Sequence, residues 1–404
     1  MEWKEVRLGD IADVQTGPFG SQLHKSDYIA EGIPCIMPTN IGSHLNFIVD
    51  EIAHVSEVDA NRLSRHLTEF GDIIYARRGD IEKCAYVTTN EEKWLCGTGC
   101  LKIRCNNGVN SRFIAYQLST AECKKWITGN AVGTTMLNLS KGILSNLPLL
   151  VPSHEDQRRI ASILSSLDRK IELNNKINAD LEEMAQAIFK NWFVDFEPFK
   201  DGKFVDSELG MIPEGWKVGR LTEIASYMNG LAMQKFPPEN NEDSLPVLKI
   251  KELGQGFCGP DSDRCSCNIK DECKIHNGDV IFSWSGTLLV DVWCGGDCGL
   301  NQHLFKVTSK DYPKWFYYYW TKHHLQEFIH IAKDKAVTMG HIKRGHLEEA
   351  MVAILDNDSM EKAHELFEPI LSKMISLRLE NSRLSLLRDT LLPRLMSGEL
   401  EVPE

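Results

Sequence analysis

The sequence contains no apolar stretch long enough to span a membrane, and its first residues lack the basic segment and apolar core of a secretion signal. It also lacks a phosphate-binding loop ending in Gly-Lys-Ser or Gly-Lys-Thr, which argues against ATP-driven chemistry within this chain. Positive charge is in deficit, because 57 acidic residues outnumber 45 Lys and Arg and give a formal net charge of −12. This balance excludes a generic basic coat for nucleic acid but leaves local basic patches open.

The remaining composition is typical of a globular protein. The chain has 404 residues, 42% of them hydrophobic, which is enough for two or three domains. We expect a cytoplasmic protein without a membrane partner, whose twelve cysteines are reduced thiols. Cysteines are dense between residues 258 and 298, with His276 nearby, and could in principle hold zinc. Their spacing differs from that of paired zinc knuckles, so we favour reduced thiols and no metal.

The chain contains an internal repeat. WKEVRLGDIADVQTG at 3–17 recurs as WKVGRLTEIASYMNG at 216–230, and GDIIYARRG at 71–79 recurs as GDVIFSWSG at 278–286. TGCLKI then matches QHLFKV, and TMLNLSKGIL matches TMGHIKRGHL, in the same order along the chain. A period near 200 residues is far longer than a solenoid repeat and indicates a duplicated domain.

Each copy mixes short apolar runs, such as 71–75 and 245–250, with Gly, Asn and Pro turns. A helix-like stretch follows near 112–127 in the first copy and near 314–331 in the second. This pattern predicts an α/β (α+β) domain with an irregular, mostly antiparallel sheet.

Each copy is followed by a long helical pattern with a heptad repeat of apolar residues. The predicted seam of the first helix is Ile160, Leu164, Leu167, Ile171, Asn174, Asn178, Leu181, Ala185, Ile188 and Trp192. The predicted seam of the second is Ala363, Phe367, Ile370, Met374, Leu377, Asn381, Leu384, Arg388, Leu391 and Leu395. A long helix with one apolar stripe needs a partner, so we expect the two helices to pair as an antiparallel coiled coil related by a pseudo-two-fold axis.

Polar residues interrupt the middle of both seams. Antiparallel pairing would gather Asn174, Asn178 and Asn381 in one central layer, where a buried Asn fixes the register of the helices. The alternative is that these positions face solvent or a third partner. The resulting domain prediction is 1–152 recognition domain 1, 153–196 spacer helix 1, 197–210 linker, 211–355 recognition domain 2 and 356–398 spacer helix 2.

The loops differ between the two copies although the scaffold positions match. ARRG at 76–79 becomes SWSG at 283–286, and GPFGSQLHKSDY becomes GLAMQKFPPENN, which suggests two binding sites of different specificity. A guanidinium can bond guanine or phosphate oxygens in pairs. The candidate nucleic-acid-binding residues are Gln22, His24, Lys25, Arg77, Arg78, Lys141, Gln234, Lys235, Trp284, Lys343 and Arg344. For each of them, the alternative to nucleic-acid binding is a loop side chain that is simply exposed to solvent.

The segment LPLLVPSHEDQRRIASILSSLDRKIELNNKINADLEEMAQAIFKNWFVDFEPF, followed by GMIPEGWKVGRLTEIA, resembles the central conserved region of type I restriction-modification specificity subunits. GPFGSQLHKSDY and NQHLFKV resemble parts of their target-recognition domains, so the resemblance covers essentially the whole chain. One departure is the second helix entry, LDNDSMEKAHELF, which lacks the Pro and Gln of the first. We therefore expect two unequal surfaces for docking partners.

The resemblance implies a noncatalytic subunit that binds double-stranded DNA, with each recognition domain reading one half of a split target and the helices setting the distance between halves. It also implies two methyltransferase subunits that methylate adenine from S-adenosylmethionine, and restriction/translocase subunits that use ATP and Mg. No cofactor is expected in this chain, which lacks the Asn-Pro-Pro-Phe motif of an adenine methyltransferase. The alternatives are a coiled-coil adaptor that binds proteins, and the specificity module of a related phage-defence methylation system without restriction subunits.

Overall fold

The computed structural model describes residues 2–133, 137–239, 243–334 and 340–402. The chain forms two compact units, the first made of Met1–Lys170 with Leu384–Glu404 and the second of Ile171–Arg383. In the repeated pair TMLNLSKGIL and TMGHIKRGHL, the leading Thr-Met of each copy lies outside the described residues.

Up to the first long helix, the strands are β1 Lys4–Arg7, β2 Ala12–Thr16, β3 Tyr28–Ile29, β4 Ile33–Ile36, β5 Ala53–Val55, β6 Ile73–Ala76, β7 Cys84–Tyr86, β8 Leu95–Cys96, β9 Cys100–Cys105 and β10 Pro148–Val151. The helices are α1 Leu8–Ile11, α2 Glu57–Arg62, α3 Ser111–Leu118, α4 Ala121–Asn130, α5 Lys141–Ser145 and α6 His154–Phe193.

After that helix, the strands are β11 Phe204–Ser207, β12 Gly210–Pro213, β13 Lys217–Arg220, β14 Ser226–Asn229, β15 Ser244–Leu248, β16 Arg264–Ser266, β17 Lys274–Ile275, β18 Val280–Ser283, β19 Leu289–Val292, β20 Cys298–Leu300, β21 Leu304–Thr308 and β22 Met351–Ile354. The helices are α7 Leu221–Ile224, α8 Ile250–Gln255, α9 Lys314–His323, α10 Leu325–Asp334, α11 Arg344–Glu349 and α12 Asn357–Met396.

Each unit contains two four-stranded sheets. In the first unit their strand orders are β2-β9-β6-β7 and β3-β5-β4-β8, and in the second they are β14-β21-β18-β19 and β16-β15-β20-β17. The pairing is antiparallel except between β4 and β8 and between β15 and β20. A two-stranded pair, β1 with β10 or β13 with β22, completes each unit. The predicted mixed α/β class is confirmed.

The glycine that closes each repeated opening has a packing role. A Cβ atom on Gly17 would lie 2.1 Å from the carbonyl oxygen of Gly97, and one on Gly230 would lie 2.3 Å from that of Asn301. Real Cβ atoms do not approach backbone this closely, so both openings require glycine where the chain leaves strand β2 or β14 and meets the second sheet.

The single helix-like stretch predicted in each copy is divided into two helices. Thr120 accepts a hydrogen bond from the backbone N–H of Cys123 and so begins α4 anew, after α3 has ended at Leu118. In the second unit α9 ends at His323 and α10 begins at Leu325. The segment 197–210 likewise contains structure, a short 3-10 turn at Glu197–Phe199 and strand β11, which pairs with β12.

The long helices contribute to the core of each unit. Leu164 of α6 and Leu395 of α12 are buried in the first core with sheet residues such as Tyr75. In the second core, Phe193 of α6 and Phe367 of α12 pack with Trp315 of α9. Each unit is therefore held together by the domain and the helix segments that pack against it.

The entry to α6 explains the motif at its start. Ser153 Oγ accepts the backbone N–H of Asp156 at 3.2 Å, which caps the helix. Gln157 is buried, donates to the carbonyl oxygen of Pro152 at 2.9 Å and accepts the N–H of Asn110 at 2.9 Å. Because Asn110 caps α3, the glutamine fastens the long helix to the domain before it.

Candidate nucleic-acid interface

A turn carrying Arg77 and Arg78 follows strand β6 of the first unit. The N–H of Arg77 donates to the carbonyl oxygen of Gly99 at 2.8 Å, and the N–H of Leu139 donates to the carbonyl oxygen of Arg77 at 2.9 Å. Arg78 forms an isolated bridge with Asn138. The backbone of the turn is therefore fixed on two sides.

The two arginine side chains have different surroundings. The Arg77 side chain is half-buried, with its guanidinium carbon 6.0 Å from the ring centre of Phe19, whereas Arg78 is exposed. Burial, and to a lesser extent the charge of Arg78, lowers the pKa of Arg77. Among the described residues, Arg77 Nε has no hydrogen-bond partner, and neither arginine forms an ion pair. The turn thus presents two adjacent cations that the chain itself does not neutralise.

The loop from Gly17 to Tyr28 lies beside this turn through Phe19. Gln22 is predicted to contact DNA. Its Oε1 instead accepts the N–H of Phe19 at 3.2 Å, a hydrogen bond within the loop that contains both residues. His24 and Lys25 are exposed at a short 3-10 turn. Lys141, at the start of α5, is paired with Asp13 at 3.3 Å. The structure therefore brings Arg77 together with the Phe19 loop, while Lys141 forms an exposed ion pair with Asp13.

Trp284 occupies the position of Arg77 in the second unit. Its N–H points to the carbonyl oxygen of His303 at 3.4 Å, and the N–H of Ile342 donates to its carbonyl oxygen at 3.1 Å. The indole ring centre lies 6.0 Å from that of His303 and 6.4 Å from that of His341. The indole N–H is buried and has no hydrogen-bond partner among the described residues. In the second unit an aromatic cluster therefore takes the place of the two adjacent arginines, at a turn with equivalent backbone hydrogen bonds.

His303 is held in place by polar contacts. Ser285 Oγ lies 3.1 Å from its Nδ1, and Gln302 Nε2 lies 3.2 Å from its Nε2. With both ring nitrogens in contact, the orientation of the imidazole beside Trp284 is fixed.

An open groove of about 820 Å³ lies next to His303. Its lining includes the predicted residue Gln234 and the cations Lys249, Lys251 and Arg264. Lys249 is paired with Asp263, and Arg264 donates to Ser244, whereas Lys251 is exposed. The groove thus places the exposed cation Lys251 near His303.

The remaining predicted residues of the second unit lie on short elements. Lys235 is exposed at the end of a 3-10 turn, Met233–Lys235. Lys343 and Arg344 are exposed at the start of α11, where Arg344 lies 3.9 Å from Glu348. The chain segment before α11 reaches the Trp284 turn through the bridge between Ser285 and His341.

Sequence reasoning missed Phe19, Lys249, Lys251 and His303. Phe19 lies inside a loop that differs between the copies, and His303 replaces Gly99 in the matched pair TGCLKI and QHLFKV, so a position-by-position comparison of the copies could have found both. Lys249 and Lys251 carry no such signal because strand β15 and helix α8, which bring them to the groove, were not separable in the sequence.

Every residue of the two predicted helix seams is buried or half-buried. Asn174 Nδ2 donates to Asn381 Oδ1 at 2.9 Å and to Glu380 Oε2 at 2.8 Å, and Asn381 Nδ2 donates to Asn175 Oδ1 at 2.7 Å. Asn178 is also buried, but its Oδ1 has no hydrogen-bond partner in the part of the chain described.

The cysteines are distributed through both cores. In the described residues none is in a disulfide, and no group of three or more His, Cys, Asp or Glu side chains is arranged to hold a metal ion. Burial raises the pKa of the Cys84 thiol to about 12 and that of Cys294 to about 11, which keeps both protonated at neutral pH. The helices of the described segments are all too short or too polar to cross a membrane.

Comparison with known proteins gives a consistent result. The family described as type I restriction modification DNA specificity domain matches residues 1–183 and 213–354. The type I restriction enzyme MjaIX specificity subunit of Methanocaldococcus jannaschii is 28% identical, covering 100% of this chain and 94% of that protein. The HindI specificity subunit of Haemophilus influenzae is 24% identical, covering 99% of this chain and 100% of that protein.

One solved structure supports the fold. The S subunit of a type I restriction-modification system from M. genitalium superposes with a TM-score of 0.56 at 15% identity, covering 98% of this chain and 96% of that one. At this level of identity the likeness supports the mixed α/β fold alone.

Proposed function

The chain belongs to the type I restriction modification DNA specificity family, and from this membership we propose that it is the noncatalytic specificity subunit of a type I restriction-modification complex. Residues 1–152 and 211–355 are the two recognition domains, and each reads one half of a split double-stranded DNA target. Residues 153–196 and 356–398 are the spacer helices, and 197–210 joins the first spacer to the second domain.

One observation supports the proposal that the two domains recognise different half-sites. The two units share the strand order of one four-stranded sheet and the same backbone hydrogen bonds around one turn, yet that turn carries Arg77 and Arg78 in one unit and Trp284 and Ser285 in the other. Two domains that share a sheet and a turn, with different side chains at that turn, are what recognition of two different half-sites requires.

We further propose that the spacer helices pair as an antiparallel coiled coil with pseudo-two-fold symmetry and so set the distance between the half-sites. The support is the buried seam, the hydrogen bond between Asn174 and Asn381, and the packing of Phe193 against Phe367 near the opposite ends of the paired segments. A helix of 40 residues is about 60 Å long, which is the scale of a split target.

Two methyltransferase subunits and restriction subunits are the proposed protein partners. The catalytic steps then belong to these subunits, and this chain contributes target choice and assembly. Because the chain is acidic, we expect tight DNA binding only in the assembled complex, where partner surfaces help to neutralise phosphates.

The test is genome-wide mapping of methylated adenine in cells that express this chain with its cognate methyltransferase subunit. We expect a split motif that is absent from the matched strain without this chain. Replacing residues 1–152 with the corresponding domain of a relative should change one half of the motif and leave the other half unchanged. A motif that does not depend on this chain, despite a purified and active complex, would rule out the specificity role and favour a protein-binding adaptor.

The spacer role has a separate test. Inserting one heptad at matched positions of α6 and α12 lengthens the paired helices by about 10 Å, or about three base pairs. The nonspecific gap in the motif should grow by about that amount while both half-sites stay the same. An unchanged gap in a complex that still methylates DNA would contradict the role of the helices as a spacer.

A further inference from the structure

The Arg77 guanidinium is prepared for a ligand that the chain does not supply. It is half-buried against Phe19, and the backbone of its residue is fixed by Gly99 and Leu139. In the described residues its Nε is buried without a partner and no carboxylate pairs with it, although acidic residues outnumber basic ones in the chain. Other arginines of the same unit, such as Arg104 with Asp72 at 2.7 Å, are paired.

A planar fork with restricted motion matches guanine better than it matches phosphate. Guanine presents O6 and N7 in the major groove, and a bidentate arginine contacts both. A phosphate can be approached from many directions, so an exposed and mobile cation serves it equally well. Arg77 fits the first role because its side chain is half-buried beside Phe19, and Arg78 fits the second because it is exposed.

The second unit offers a natural contrast at this position. Trp284 lies on an equivalent frame but has no guanidinium, and its neighbours are His303 and His341. At this turn the second unit therefore offers no guanidinium to a base.

We propose that Arg77 is a base-specificity residue that selects one guanine in the first half-site, and that Arg78 is a phosphate contact. The proposal rests on the proposed function, because it assigns a base to one of its recognition domains. It requires that the first half-site contain a guanine whose recognition depends on Arg77.

The test uses the full chain in its complex with the methyltransferase subunit and compares four variants. Arg77→Gln replaces the guanine fork with a side chain that pairs with adenine. Arg77→Lys keeps the charge but loses the fork. Arg78→Ala removes the exposed cation. Lys83→Ala is the matched control, because it removes one charge of the same domain that is already paired with Asp80 at 3.2 Å.

We expect Arg77→Gln to relax one position of the motif from guanine towards adenine and to reduce methylation of the original site by roughly 5- to 150-fold. Arg77→Lys should weaken discrimination at the same position. Arg78→Ala should lower methylation evenly across all sites and reduce the salt dependence of DNA binding, with the motif unchanged. Lys83→Ala should match the wild type.

Two results would overturn the proposal. One is an even loss over all sites for Arg77→Gln together with wild-type behaviour of Arg77→Lys, which would make Arg77 a phosphate contact. The other is an unchanged motif and rate for Arg77→Gln. Both differ from failure of the proposed function, which would appear as the absence of any split motif with the wild-type chain.

Discussion

In the first unit the contacts of the long helices include a charged cluster around Arg388, whereas in the second they include a set of packed aromatic rings. Arg388 of α12 contacts Asp168 of α6 at 3.1 Å, and Asp168 also accepts a hydrogen bond from Tyr116 of α3. In the second unit Phe367 of α12 stacks on Trp315 of α9 with ring centres 4.7 Å apart, beside Phe193 of α6.

The residues at equivalent positions of the repeat account for this difference. With the repeat offset of 203 residues, Asp168 corresponds to Leu371 and Arg388 corresponds to Ala185, both of which are buried in the second unit. Phe367 corresponds to Leu164, which is buried in the first. One four-stranded sheet thus keeps its strand order in two domains whose attachments to the helices are built from different interactions. Backbone pairing constrains the sheet, whereas any residues that fill the space can hold a helix against it.

Phe367→Ala should give the largest effect, because it removes a fully buried ring from the aromatic attachment. Loss of its contacts with Trp315 and Tyr319 should lower the free energy of unfolding of the second unit by about 4 kcal/mol. Hydrogen exchange measured by mass spectrometry, peptide by peptide, would report each unit separately. Phe257→Ala, at a ring that is 55% exposed, is the matched control. Equal loss in both variants would contradict the role of the aromatic cluster.

Arg388→Met should have the next largest effect, in the first unit. It leaves Asp168 buried without its main cation, since Arg112 is 3.9 Å away, and should cost about 3 kcal/mol. Arg394→Met, at an exposed arginine paired with Glu399, should change stability by less than about 0.5 kcal/mol. Combining Arg388→Met with Asp168→Leu copies the apolar character of the second unit and should recover most of the loss. Failure of this recovery would show that the cluster has a role beyond pairing charges.

A smaller, pH-dependent effect should come from His66, which matches Cys273 of the second unit. His66 is buried, and burial together with Arg65 and Lys102 lowers its pKa from 6.5 to about 4. As the pH falls from 6.5 towards 4, the unfolded chain takes up a proton that the folded first unit does not. The first unit should therefore lose about 1 kcal/mol per pH unit in this window, and the stability is fully present above it.

The contribution of His66 is isolated by comparison with His66→Gln. His44 and His323 also have pKa values lowered mainly by desolvation, so the wild type alone would mix several titrations. Denaturation of the wild type and the variant at pH 7.0 and 5.5 should show the smaller acid loss in the variant. Equal acid loss in both would mean that His66 does not titrate in this range.

Much of the fold follows from the repeat and from periodicity. The matched segments predicted two copies of one domain, and the apolar heptads predicted both long helices close to their observed bounds, His154–Phe193 and Asn357–Met396. The second helix continues through Pro369, which alone would predict a break. Buried Phe367 and Ile370 on either side outweigh that local preference.

The candidate site was less accessible to sequence reasoning because it depends on side-chain partners from distant strands. Arg77 and Trp284 could be singled out as differences within a shared motif. That Lys141 is paired with Asp13, or that His303 lies beside Trp284, depends on the packing of α5 on the sheet and on the pairing of β18 with β21. Charge and residue type in the sequence do not reveal which cations are already neutralised.

The first unit is built from two separate stretches of the chain, and this affects the order in which the two units can fold during synthesis on the ribosome. Its core includes Leu395, Met396 and Val402, which are translated after the whole of the second unit, and the second unit is formed by the uninterrupted stretch 171–383. The amino-terminal domain is therefore translated first but can complete its core only after the carboxyl-terminal segment has left the exit tunnel. Until then its unfilled apolar surface is open to chaperones, and truncation near residue 390 would leave it permanently incomplete.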